Sequence, residues 1–201
     1  MNDVKSVEEL KEVLSKVSRK IVVVRYVRFA MSFQFFLVVM AGYYVLISPM
    51  KSFSLWLTVA YWSVSIAMFV FISRTIWKKV YSGNKKLQVC ISFSWLFSAF
   101  FCWFVVPVFV PMGTFQKIAV SLLSFVSLAV FLMIVSIKAF TGSLEKLMLP
   151  ALLIPALAII LIPLCKNPVY FAGMSIALGY GTTVLLYLTA AVSGNVEGLS
   201  K

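Results

Sequence analysis

The sequence predicts an all-α fold: a polytopic integral membrane protein with a six-helix transmembrane bundle and an N-terminal amphipathic helix at its cytoplasmic or interfacial edge. Three observations carry this. Hydrophobic residues make up 62% of the 201 and charged residues 12%, against about 45–50% and about 25% in soluble globular chains. So little polar surface cannot cover a water-soluble domain, and disorder requires the opposite composition. Six charge-free segments, at 29–48, 53–73, 88–110, 118–137, 147–163 and 169–193, each have a length within the about 17–25 residues of a bilayer crossing. The basic residues, finally, fall almost entirely on one side of those segments.

Residues 1–28 form the lead, a cytoplasmic amphipathic helix. Ser6 is suited to cap it, with Glu9 three residues on as capping-box partner. Glu8, Glu9 and Glu12 stand near its start, and Lys16, Arg19, Lys20, Arg25 and Arg28 toward its end, the distribution a helix dipole favours. Val7, Leu10, Leu14, Val17, Ile21 and Val24 recur at alternating steps of three and four, a narrow heptad seam. The seam either lies in the inner membrane interface or docks on a partner or on the chain's own basic loop.

The first span, 29–48, follows too long and charged a lead, and is too long itself, for a cleaved signal peptide, whose apolar region is about 7–15 residues. Gln34 is its most polar deep side chain. Together with Thr58 and Tyr61 of the second span it forms a candidate polar cluster if the two spans are neighbours. The loop after span two carries Arg74, Lys78, Lys79, Lys85 and Lys86, a candidate cytoplasmic docking element. Ser94 and Ser98 in span three and Ser121, Ser124 and Ser127 in span four either tie helices together or line a polar path. Residues 100–110 are continuously apolar apart from Pro107, unlike the alternating strands of a barrel.

Proline marks the next irregularities. Pro107 near the end of span three, and Pro150 and Pro155 in span five, are expected to kink or break their helices. Asn167–Pro168 supplies a tight turn that makes spans five and six an antiparallel hairpin. Span six then presents Gly173, Ala177 and Gly181 at four-residue spacing, with Ser175 and Gly179 nearby. Small residues so spaced let helix backbones approach closely, for internal packing, self-association or pore lining. Residues 194–201 are a short cytoplasmic tail.

Charge sets the orientation. Of 18 Lys and Arg, only Lys51, Lys117 and Lys166 fall on the side opposite the termini, which places both termini in the cytoplasm. The +12 net charge is therefore a topology signal rather than a nucleic-acid footprint. Anionic lipid headgroups are expected at the basic loops.

The same sparsity of charge removes most chemistry. With no histidine, His-held haem or zinc and Ser-His or Cys-His catalysis are excluded. All six acids lie outside the six segments, Glu145 closest to one, so an ion-coupled carrier built on membrane carboxylates is disfavoured. A single aspartate, Asp3, cannot build the clustered carboxylates that hold magnesium around phosphates. Cys90, Cys102 and Cys165 form no pairing motif. No catalytic, cofactor or metal residue is assigned, and the chain is not expected to be an enzyme. The expectation is a transport component, either a passive channel or facilitator or a permease subunit energised by a cytoplasmic partner. In size and span count alone it resembles ATP-driven permease halves and the substrate-capture subunits of vitamin transporters. A non-catalytic scaffold or accessory subunit of a larger complex, and a homo-oligomer, are the alternatives.

Overall fold

The computed structural model describes residues 2–43, scattered positions between 57 and 71, and residues 85–193. Every regular element among them is helical. They are α1 (Asn2–Gly42), α2 (Lys85–Phe100), α3 (Val106–Phe109), α4 (Thr114–Thr141), α5 (Leu149–Leu161) and α6 (Pro168–Ser193). Five stretches are long and apolar enough to cross a membrane: Lys20–Gly42, Val89–Phe109, Thr114–Thr141, Lys146–Leu164 and Pro168–Ser193. The last four agree with the expected spans to within a few residues. The second expected span, 53–73, lies mostly outside the described residues, as do Thr58, Arg74, Lys78 and Lys79.

The lead and the first span differ from expectation in being one unbroken helix of 41 residues. At 1.5 Å per residue α1 is about 60 Å long, twice a bilayer core of about 30 Å. Its membrane-compatible portion begins at Lys20 rather than at residue 29, so Arg25 and Arg28 fall inside it. A charge-free criterion stops at Arg28 because it treats every arginine as solvated, whereas Arg25 has an internal partner. The described seam side chains of the lead, Leu10, Leu14, Val17, Ile21 and Val24, are all exposed.

The helix α4 is the centre of the bundle. It packs against α2, α5 and α6, while α6 joins α5 on one side to α1 on the other. Its buried face, including Ala119, Leu123, Val126, Ala129, Val130 and Ile137, is the middle of the core. The α2–α4 and α4–α5 connections are short, so those neighbours are antiparallel. Gly142 ends α4 at φ +73°, with its N–H on Lys138 O at 2.9 Å. This left-handed terminus favours glycine because a Cβ is disfavoured there.

The prolines act differently from one another. Before Pro107 the chain widens into a π-helical turn, Phe101–Val105, with the Val106 N–H on Phe101 O. The wider turn accommodates a ring that has no N–H to give and would crowd the preceding carbonyl. Pro150 lies in the first turn of α5, where no intrahelical N–H is required, and so starts the helix instead of kinking it. Pro155 is inside α5, which nevertheless continues to Leu161; span five is not broken in two. Asn167 accepts the Phe171 N–H at 3.0 Å as α6 begins, and α5 packs on α6 as the expected hairpin.

Candidate functional site

Two polar features are built into the apolar bundle. The first is the α5–α6 contact. A Cβ on Gly179 would lie 2.9 Å from Pro150 O and 3.1 Å from Pro155 Cδ, so only glycine lets α6 approach the start of α5. One turn on, the fully buried Thr183 hydroxyl accepts the Ala151 N–H at 3.0 Å. Met148, at the N-cap of α5, has no capping side chain, and α6 satisfies the orphan donor in its place. The described close approach is therefore at Gly179, between the expected positions Ala177 and Gly181. Gly173 is buried and Ala177 half-buried, but among the described residues nothing lies within 4 Å of a Cβ placed on Gly181.

The second feature is a run of buried hydroxyls. Ser98, Ser121, Ser127, Tyr180 and Tyr187 are all buried; the first four have no hydrogen-bond partner among the described residues, and Tyr187 faces Glu145. Their order along the bundle follows from helix geometry. Thr114 and Pro168, at the starts of α4 and α6, border the same cavity, so the two helices run in parallel from that end. At 1.5 Å per residue Ser121 stands about 10 Å in, Ser127 and Tyr180 about 20 Å, and Tyr187 about 28 Å. Trp95 of the antiparallel α2 meets Phe125 at 5.6 Å, which brings Ser98 to the level of Ser121. The hydroxyls form a column in depth only, since Ser121 and Ser127, six residues apart on α4, face directions about 120° apart. Rings pack among them, Phe36 stacking on Trp95 at 4.8 Å and Phe33 meeting Tyr180 edge-on at 4.9 Å.

The column ends at an ion pair. Glu145, in the α4–α5 loop, is 5% exposed and lies 3.7 Å from Arg25 of α1. Tyr187 stands beside both, within electrostatic reach of the carboxylate and the guanidinium. Arg25 also sits over the Tyr26 ring at 5.5 Å, and its Nε is buried without a partner. A carboxylate so deeply buried is retained only when paired, and α1 supplies that pairing.

The expected polar residues divide accordingly. Ser98 and Ser121 belong to the column. Ser94 is buried but donates to Cys90 O at 2.8 Å in its own helix, and Ser124 is only half-buried. Tyr61 does meet the first span, donating to Val39 O at 2.6 Å beside Gly42. Gln34 is exposed on α1, and Thr58 lies outside the described residues. Lys85 opens α2 and Lys86 is exposed. Arg25, Glu145, Tyr180, Tyr187, Thr183 and Gly179 were outside the expected site. Glu145 carried the one legible signal, as the sole acid between Glu12 and Glu197.

Two open cavities complete the picture. One of about 470 Å³ lies at the starts of α4 and α6 and includes Gln116, Lys166 and Tyr170. A second of about 400 Å³ is an apolar groove between α2 and α4, with Phe93, Phe97 and Val135 in its walls. Among the described residues no group of three or more Cys, Asp or Glu is placed to hold a metal ion. Comparison of the chain with protein-family models, curated proteins and solved structures finds no match.

Proposed function

We propose that the chain is a membrane-embedded transport component, a channel-like facilitator or a permease subunit, without ion-coupling carboxylates of its own in midmembrane. The observation that carries this reading is the set of buried hydroxyls at successive depths, Ser98, Ser121, Ser127 and Tyr180, unpartnered among the described residues. In hydrocarbon an unsatisfied hydroxyl is costly, and repeated instances at successive depths favour contact with water or a small polar solute during a working cycle. In this reading the bundle has six spans, with 53–73 as the second. The lead is an amphipathic cytoplasmic helix, and both termini face the cytoplasm under the positive-inside bias. The Arg25–Glu145 end of the column is then the inner end. The partners are the bilayer, anionic headgroups at the basic loops and, for a permease subunit, a cytoplasmic ATPase docked near 74–86.

The test is flux. The purified chain in liposomes is expected to release small polar solutes faster than protein-free vesicles. Release at the protein-free rate, both alone and with any co-purifying ATPase supplied with ATP, rejects the reading.

A second reading, a non-catalytic accessory subunit, is favoured by one observation: the uncovered seam of α1 from Leu10 to Val24. It requires a stoichiometric membrane or cytoplasmic partner that is lost when residues 1–19 are removed, with no flux in either state.

A further inference from the structure

We propose that Arg25 and Glu145, with Tyr187 beside them, form a releasable clasp that couples the projecting part of α1 to the α4–α5 loop. The inference is independent of transport. It rests on where the pair stands along α1. On the lead side, the described side chains Leu10, Leu14, Val17, Lys20 and Ile21 are exposed, whereas beyond the pair Tyr26, Ala30 and Phe33 are buried against the bundle. Val22 is the first described side chain of α1 to pack on the core, and Arg25, one turn later, is the first to make an ion pair with the bundle. Because α1 is continuous from Asn2 to Gly42, a load on the lead reaches Arg25 without an intervening joint.

The clasp is loosely made. Its oxygen-to-nitrogen distance is 3.7 Å, beyond the about 2.7–2.9 Å of a charge-assisted hydrogen bond. The Arg25 Nε is buried without a partner among the described residues, so the arrangement does not satisfy all of its donors. The Arg25 side chain is 31% exposed, and on release it reaches water or a headgroup phosphate directly. Deeper in the bundle, the ring contacts of Phe33 with Tyr180 and Phe36 with Trp95 hold α1 in place. Release therefore opens one end rather than detaching the helix. On the loop side, the left-handed Gly142 and the short turn Lys146–Met148 bracket Glu145, with Met148 fully buried beside it.

Hydrogen exchange on the full chain in lipid nanodiscs tests this. Glu145→Gln is expected to raise amide exchange roughly tenfold in 20–30 and 142–148 while leaving 116–130 and 170–182 unchanged. Tyr187→Phe should give a smaller rise in the same two windows. The double exchange Arg25→Glu with Glu145→Arg should bring both windows back toward wild-type protection. Unchanged exchange in those windows for Glu145→Gln overturns the clasp. So does loss of protection throughout α4 and α6, which makes the pair a structural support of the whole bundle, and so does a charge exchange that fails to restore protection.

Discussion

At Gly179 the missing Cβ is a packing requirement set by backbone, since the nearest obstacle is the carbonyl oxygen of Pro150. A flexible side chain moves aside; a carbonyl at the first turn of a helix does not. Gly179→Ala is therefore expected to destabilise by about 1–3 kcal/mol, as overpacking does. Gly181→Ala, with open space among the described residues, should stay within about 0.5 kcal/mol. Thermal melting of both variants in mild detergent checks the pair, and equal shifts would contradict the contact geometry. Thr183→Val should cost about 1–3 kcal/mol by stranding the buried Ala151 N–H, while Thr183→Ser should retain most of the stability. These roles were only partly legible. The spacing of small residues on span six points to a close helix approach, but Gly173, Ala177 and Gly181 recur as regularly as any other set. Which stripe meets a neighbour depends on the rotation of α6 about its axis, and that is set by Pro150 and Pro155 on a different helix.

Among the elements, α1 shows most clearly what a charge pattern can and cannot decide. Residues 6–28 are helical, as part of α1, and the candidate crossing Lys20–Gly42 overlaps the expected span 29–48, whose last residues lie outside the described ones. The join between them was invisible, because Arg25 and Arg28 read as a solvated boundary when one of them is neutralised by an acid 120 positions further along the chain. Long-range pairing of this kind leaves no local trace. The corrected boundary alters where truncation is tolerated. Removing residues 1–19 is expected to leave the melting of the bundle within about 0.5 kcal/mol, since the described side chains there are exposed. Removing residues 1–28 abandons a buried carboxylate and should lose roughly 3 kcal/mol or more. Comparable stability for the two truncations would mean that Glu145 finds another partner. The prolines teach the same lesson on a smaller scale: their presence in spans three and five is plain, but a helix start at Pro150 and a π turn before Pro107 depend on neighbours.

For the whole molecule, the scarcity of charge both identifies the class and moves attention to hydroxyls as the chemistry left inside. The serine rows of spans three and four were visible in sequence, with helix gluing and a polar path both open to them. Their geometry now separates the members: Ser94 is occupied by its own helix, whereas Ser98 and Ser121 are level, buried and unpartnered. The two meanings of that state predict opposite couplings between stability and activity. A buried hydroxyl without a partner lowers stability, so replacing it with an apolar group is neutral or stabilising. If Ser98 and Ser121 are only packing, Ser98→Ala with Ser121→Ala raises the melting temperature and leaves solute flux unchanged. If they line the route of a polar solute, the same double variant melts at or above the wild-type temperature yet releases solute more slowly, because the outer tier of the column no longer offers hydrogen bonds. The transport reading predicts the second outcome, a rise or no change in stability joined to a fall in flux. Measuring both quantities on one preparation makes the result decisive, since a fall in flux through unfolding would lower the melting temperature as well.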